Sequence, residues 1–117
     1  MSSSVFDTRF FVEHSGLLSS LPPNILERLT ALHVHLGISV PDDLGSGLDS
    51  LSPIIEHFMD AGGIFFVKWD GERSSNRYTT MVMHSKIEQF RFDDQTPQLA
   101  AARVLLHLAG PVFGFGE

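Results

Sequence analysis

Histidine is the residue in this chain best able to hold a metal ion or move a proton, and the sequence contains six of them. His33 and His35 form an H-x-H pair, which on a β-strand would turn both rings to one face. The apolar spacing around the pair is helical, however, and residues two apart on a helix point about 200° away from each other. Because a metal site needs three or four converging ligands, we expect no metal site at this pair.

Two pairs of carboxylates, Asp70 with Glu72 and Asp93 with Asp94, have the residue types used for glycoside hydrolysis or for binding a divalent cation. Both pairs lie at predicted strand ends, where acidic residues are ordinary components of turns and helix caps. The serine-rich segments lack a nucleophile elbow, and the Gly-Ser-Gly at 45–47 lacks the lysine of a phosphate-binding loop. We therefore predict no catalytic residue and no cofactor, and we favour a protein that is not an enzyme.

The hairpin between the first two predicted strands has the composition of a protein contact. Tryptophan, tyrosine and arginine are enriched among interface hot spots, and this segment holds the only Trp and the only Tyr of the chain. We predict a contact surface made of Trp69, Asp70, Glu72, Arg73, Arg77 and Tyr78. The two aromatic residues could instead serve only to pair across the hairpin. A contact surface requires an exposed Trp69, and an Arg73 or Arg77 that is free of internal carboxylate partners.

A second candidate surface lies on the last predicted helix, which begins at Thr96-Pro97 and is apolar around most of its circumference. Such a helix is either central to the core or half covered by a second subunit. The second interpretation predicts a homodimer whose self-interface contains Arg103, Leu105, His107, Phe113 and Phe115. In that case Leu105→Glu, or removal of the C-terminal tail, would give monomers.

A small-molecule-binding protein or an enzyme is the alternative function. Its pocket would lie between the sheet and the helices. The polar residues expected to line it are Thr80, His84, Gln89 and Arg91. A deep pocket that contains two or more of them with perturbed pKa values would favour this alternative.

The helices that position these residues are recognised from apolar spacing and from helix-ending residues. The first helix has four apolar residues on one stripe, which are Ile25, Leu29, Leu32 and Leu36. Asn24 and Glu27 have the spacing of a capping box, and Gly37 predicts the end of the helix. Residues 38–49 are predicted as a loop, and a second helix begins at Ser52-Pro53, with Ser50 as a rival cap. Before residue 21, phenylalanines and leucines could form one face of a short helix.

Three strands are predicted over residues 64–69, 78–84 and 87–92. The first is apolar at nearly every position, which is typical of a strand covered on both faces. A tight turn after His84 would place Met81 opposite Phe90 and Thr79 opposite Phe92. The core face of the sheet would then hold Met81, Met83, Phe90 and Phe92. The predicted fold is one α+β domain over residues 1–117, in which a three-stranded antiparallel meander packs against helices in two layers, with the order α-α-β-β-β-α.

Composition limits the classes to which the protein can belong. The net charge is −6 and there is no cysteine, which argues against binding to nucleic-acid phosphates and excludes disulfides. No apolar run reaches the roughly 18 residues of a membrane span, and the N-terminus lacks the features of a secretory signal. We therefore expect a cytoplasmic protein. In size and charge alone it is similar to bacterial immunity proteins and secretion chaperones. We expect a non-enzymatic protein-binding module, because catalytic spacing is absent, the charge is acidic, and the last helix and the tail with Phe113 and Phe115 are apolar.

Overall fold

The computed structural model describes residues 21–115, and its elements follow the predicted order. They are helix α1 (Pro23–Leu36), a short 3₁₀ helix (Leu48–Leu51), α2 (Ser52–Asp60), β1 (Ile64–Trp69), β2 (Tyr78–His84), β3 (Ile87–Asp94) and α3 (Pro97–Leu108). The strands form an antiparallel sheet in the order β1-β2-β3, with the helices packed against it. The α+β prediction is therefore confirmed. The short helix considered before residue 21 lies outside the described residues, and the single domain over 1–117 stays a prediction.

Helix α3 is the centre of the hydrophobic core. It packs against β2, β3, α1 and the 3₁₀ helix, and Val104, Leu105 and Leu108 have no exposed surface. Packing within the chain thus accounts for the apolar sequence of this helix. Leu105 is fully covered within its own chain, so Leu105→Glu would disrupt the core. The self-interface predicted to contain Leu105 stays a prediction.

The helix ends show where local signals decide the structure. Gly37 ends α1 in the left-handed conformation, at φ 72°, and the Thr96 hydroxyl caps α3 by accepting a 3.1 Å hydrogen bond from the Leu99 N–H; both were predicted. The capping box at Asn24 was not formed, because α1 already begins at Pro23 and has no side-chain cap. A proline in the first turn needs no acceptor for its nitrogen, so the helix can start there without a cap.

The second helix begins at Ser52 with Pro53 in its first turn, and a 3₁₀ turn precedes it. Ser52 was predicted to cap this helix, but Leu51 is at the N-cap position and no side chain caps the helix. Ser50 does not cap this helix. Its hydroxyl accepts a 3.0 Å bond from the Gly45 N–H and donates a 2.7 Å bond to the Gly47 carbonyl. The serine therefore closes the preceding loop.

The register between β2 and β3 differs from the prediction because of a bulge. His84 pairs with Ile87, which is the predicted register at the turn, but an irregularity between Val82 and His84 shifts the remaining pairs by one residue. Val82 consequently lies opposite Phe90. Since side chains alternate between the faces of a sheet, a shift of one residue exchanges the faces of β2 relative to β3.

The two faces of the sheet are therefore populated differently from the prediction. Val82 and Thr80 are fully buried beneath the helices. The partly buried Phe90 and Phe92 pack against the same core, as predicted for β3. Met81 and Met83 lie on the opposite face. On that open face Ile64 is 56% exposed and Phe66 is 48% exposed, so β1 is not covered on both faces as its sequence suggested.

Candidate functional site

The loop between β1 and β2 is organised by Asp70. Its N–H donates to the Arg77 carbonyl at 2.8 Å, and its carboxylate accepts the Glu72 N–H at 3.0 Å. Lys68 Nζ and Arg73 Nε lie 3.7 and 3.2 Å from the second carboxylate oxygen, although the Arg73 Nε–H is not aligned for a hydrogen bond. The Glu72 N–H, supported by the two cations, lowers the pKa of the Asp70 carboxyl.

A second carboxylate, Asp93, fixes Arg73 from the neighbouring strands. Arg73 Nη1 lies 3.0 Å from Asp93 Oδ2, and Arg73 Nη2 donates to Thr79 Oγ1 at 2.8 Å. The Thr79 hydroxyl donates to Asp93 Oδ1 at 2.5 Å, and Arg91 lies 3.0 Å from the same carboxylate. These donors, the Thr79 hydroxyl first, lower the pKa of Asp93 to about 2. Arg73 is therefore committed to internal partners.

Trp69 and Tyr78 form the exposed end of the hairpin. They are cross-strand partners, and their rings meet edge to face at 6.0 Å with an 85° angle between their planes. Trp69 nevertheless remains 60% exposed. The aromatic pair thus stabilises the strands and also presents an indole to solvent, so the two sequence interpretations of these residues are compatible.

Arg77 lies beside this pair with its charge unneutralised. The only hydrogen bond of its side chain to a described residue is a 3.3 Å contact from Nε to the Asp70 carbonyl, and no carboxylate among residues 21–115 pairs with its guanidinium. Two shallow depressions, of about 150 and 280 Å³, meet at Arg77 and Tyr78. The six predicted contact residues are therefore brought together. Trp69 is exposed and Arg77 is free of carboxylate partners among the described residues, as a contact surface requires, whereas Arg73 is not free. The role of the six residues in binding stays a prediction.

Arg103 and His107, predicted at a self-interface, are both engaged by neighbours on the sheet. Arg103 Nε donates to Asp94 at 2.8 Å, and its guanidinium lies 5.3 Å from the centre of the Phe92 ring. His107 is exposed and stacks on Phe90 at 3.7 Å with nearly parallel planes. Both side chains thus tie α3 to β3.

The two phenylalanines of the tail are held by the fold, which the sequence did not indicate. Phe113 is buried and meets the Phe58 ring edge to face at 6.3 Å. Phe115 lies 4.8 Å from the His35 ring, and His35 Nε2 donates to the Phe113 carbonyl at 3.1 Å. Together with the buried Leu105, these contacts leave no continuous surface of the predicted self-interface residues.

The four residues of the alternative pocket are not brought together. Thr80 is buried on the helix side of the sheet, whereas Gln89 and Arg91 project from the open face. His84 is held at the end of β2, where its ring bonds to the Ala61 carbonyl at 2.9 Å and to the Lys86 N–H at 3.0 Å. The shifted register separates residues that the sequence had placed on one face.

A cleft that sequence reasoning missed lies between α1, β3 and α3. Its volume is about 310 Å³, and its lining residues are Asn24, Ile25, Arg28, Phe90, Phe92, Arg103, Leu106 and His107. Three of these side chains carry or can carry positive charge, and none is a carboxylate. The cleft depends on how α1 packs against α3, for which no local sequence signal exists.

Other sites and relatives give no further guidance. Within residues 21–115, no three His, Asp or Glu side chains are grouped as metal ligands would be. None of the described helices combines the length and the apolar character needed to cross a bilayer. Comparison with protein-family models, curated proteins and solved structures finds no match.

Proposed function

We propose that this protein is a non-enzymatic protein-binding module, and that its contact region is the hairpin surface formed by Trp69, Arg77 and Tyr78. The observation that carries the proposal is the 60% exposure of Trp69, an indole kept at the surface by a defined contact with Tyr78. Burying such a ring against a partner removes a large apolar area from water. Tryptophan, tyrosine and arginine are also the side chains that most often dominate binding energy.

The rigidity of the loop supports this proposal. Asp70 and Asp93 hold the Arg73 side chain between them, which restricts the loop at Arg73 before any partner arrives. A fixed loop loses little conformational entropy on binding, which leaves more of the contact energy as affinity. Arg77 contributes the charged element, because its guanidinium has free donors for a carboxylate of the partner.

The same proposal covers the charge of the partner and the compartment in which this protein works. The net charge of −6 suits a partner of opposite net charge, which would be steered toward this protein over long distances. The absence of cysteine suits the reducing cytoplasm. A homodimer is also part of the proposal, but the burial of Leu105 and Phe113 moves the search for its interface away from α3 and the tail.

The decisive experiment uses paired variants in a quantitative binding assay. Because the chain has no cysteine, a single Ser75→Cys carries a photo-crosslinker beside the hairpin surface, and Ala31→Cys carries it on α1 as the control. We expect capture of one partner from a host extract at Ser75 and not at Ala31. With that partner purified, Arg77→Ala should weaken binding about 5- to 30-fold, as hot-spot truncations of 1–2 kcal/mol do.

The matched control for Arg77→Ala is Arg28→Ala. Arg28 is also exposed and has no ion pair with a described residue, but it lies on α1. Equal effects of the two substitutions, or equal crosslinking at both cysteines, would rule out the hairpin surface as the contact region.

A small-molecule site is the second candidate, and the cleft between α1, β3 and α3 favours it. Arg28, Arg103 and His107 line this space, and an opening bordered by these side chains suits an anionic ligand. For this candidate, Arg28→Ala becomes the test variant and Arg77→Ala becomes the control. A ligand of the cleft should lose affinity in Arg28→Ala and keep it in Arg77→Ala, as measured by calorimetric titration of the binders found in a metabolite screen.

A further inference from the structure

Strand β1 is an edge strand whose outer backbone groups have no partner among the described residues. The Asp70 N–H bonds to the Arg77 carbonyl, so Asp70 and every second residue before it direct their N–H and C=O groups toward β2. The intervening residues, which are Phe65, Val67 and Trp69, direct theirs away from the sheet. Three consecutive outward positions therefore offer both a donor and an acceptor.

The composition of β1 does not protect this edge. Soluble proteins usually guard an edge strand with charges, prolines or bulges. The bulge of this sheet lies between β2 and β3, and β1 contains no proline and one charged residue, Lys68. In contrast, β3 at the opposite edge contains four charged residues and a glutamine. The two edges are thus built differently, and β1 is the less protected of the two.

We propose that β1 pairs antiparallel with β1 of a second copy of this chain, around a two-fold axis at Val67, to form a continuous six-stranded sheet. In this register Val67 pairs with the partner's Val67, and Phe65 pairs with the partner's Trp69. Every outward N–H and C=O of the three positions then has a partner. Moving the axis to Phe66 would leave Trp69 opposite a glycine, Gly63, whose N–H already donates to Phe58.

The side chains fit the same register. On the helix side, Phe65 would contact the partner's Trp69, and such aromatic pairs stabilise antiparallel strands. On the open face, Phe66 would lie opposite the partner's Lys68. The alkyl stem of a lysine packs well on an aromatic ring, and the Lys68 ammonium is partly neutralised by Asp70 of its own chain, 3.7 Å away.

Size and charge determine how strong this dimer can be. One pair of six-residue strands buries less than the roughly 1,200–2,000 Å² of a stable protein complex. Each copy also carries a net charge of −6, so the copies repel each other at low ionic strength. We therefore expect a weak dimer that becomes tighter as added salt screens this repulsion, the opposite of an interface held by ion pairs.

This dimer rests on the homodimer of the proposed function, to which it assigns an interface, but it is independent of any foreign partner at the hairpin surface. The two contact regions share Trp69 but differ at Arg77, which lies outside the paired strands. Arg77→Ala should therefore leave the dimer unchanged, whether or not it weakens the capture of another protein.

The test is sedimentation equilibrium of the full chain, from about 10 μM to about 1 mM, a range that covers weak association. Phe66 is the informative position because it is half exposed and can be changed without disturbing the core. Phe66→Lys places a positive charge opposite the partner's Lys68 and should weaken dimerisation at least tenfold. Phe66→Glu places a negative charge there and should preserve the dimer, although it removes the same ring.

Val67→Pro provides a second variant. Its N–H faces outward, so proline removes no hydrogen bond within the chain but blocks the proposed pairing at the symmetry axis. Far-UV circular dichroism verifies that each variant is folded. Amide hydrogen exchange of the unmodified chain supplies an independent reading: protection at Phe65, Val67 and Trp69 should increase with protein concentration.

Several outcomes would overturn the inference. A chain that stays monomeric up to about 1 mM has no such dimer. Equal loss of dimer in Phe66→Lys and Phe66→Glu would contradict the register, and a dimer insensitive to Phe66→Lys would place the interface elsewhere. Loss of the dimer only after deletion of residues 1–20 would assign the contact to that segment.

Discussion

Replacing Arg73 with alanine should destabilise the fold, whereas the same change at Arg77 should not. Arg73 holds three groups together: Asp70, Asp93 and the 2%-exposed Thr79. Without Arg73, the Asp93 carboxylate keeps Arg91 as its ion-pair partner but loses the ion pair that connects it to the hairpin loop. The Arg77 side chain makes one long hydrogen bond to the described residues, to a backbone carbonyl, and water can replace that bond.

The size of the effect follows from the exposure of these groups. Exposed ion pairs contribute about 0.2–1 kcal/mol, and hydrogen bonds to charged groups about 1.5–3 kcal/mol. The side chains of Arg73 and Asp93 are 30% and 31% exposed, so solvent screens part of their interaction. We expect Arg73→Ala to cost about 1–2 kcal/mol, or about 3–10 °C in Tm for a chain of this size. Arg77→Ala should stay within about 0.5 kcal/mol.

The effect should also depend on pH. The folded-state pKa of Asp93 is lowered from 3.8 to about 2, so ionised Asp93 stabilises the fold fully above pH 3.8, and this contribution is lost as the pH falls toward 2. Thermal melts of the unmodified chain and of Arg73→Ala should therefore differ at pH 7 and converge near pH 2. A larger loss for Arg77→Ala than for Arg73→Ala, or a gap that widens in acid, would refute this reasoning.

Three further substitutions test the packing of the fold by thermal or urea denaturation. Gly63→Ala would place a Cβ against the Phe58 ring and should lower the free energy of unfolding by about 1–3 kcal/mol. Gly47→Ala is the control, because nothing lies within 4 Å of a Cβ at that position. Comparable losses of stability in the two variants would be inconsistent with a steric cause. Leu105→Ala should cost about 2–5 kcal/mol as a cavity in the core; a loss below about 0.5 kcal/mol would place this residue at the surface instead. Thr96→Ala should cost about 1 kcal/mol through the lost cap of α3, and Thr96→Ser, which can still cap, should recover most of it.

The sequence predicted elements whose signals are local. The strand limits at Ile64, Trp69, Tyr78 and His84 follow from short apolar runs bounded by glycine and polar residues. Thr96 could be predicted as a cap because its partner, the Leu99 N–H, is three residues away. In each case the deciding interactions lie within a few residues of the signal.

The failures have non-local causes. The bulge between β2 and β3 has no marker in the sequence, yet it reversed the faces of Met81 and Met83. The apolar circumference of α3 was compatible with either a core or an interface, because composition does not say which molecule supplies the covering atoms. At the hairpin, sequence reasoning grouped Arg73 with Arg77. The structural role of Arg73 follows from its contacts with Thr79 on β2 and Asp93 on β3, and the sequence does not show that these residues are close to it.

The hydrogen bond from His35 to the Phe113 carbonyl joins residues 78 positions apart, and this separation has a consequence for the order of folding. The meander of β1, β2 and β3 closes through short turns, which costs little loop entropy, whereas docking α1 on α3 closes nearly the whole described chain. Non-local contacts of this kind slow the approach to the native state. We expect the sheet and α3 to assemble first and α1 to attach last. The same helix should then detach first in the native ensemble, transiently uncovering the core beneath Leu29 and Leu32.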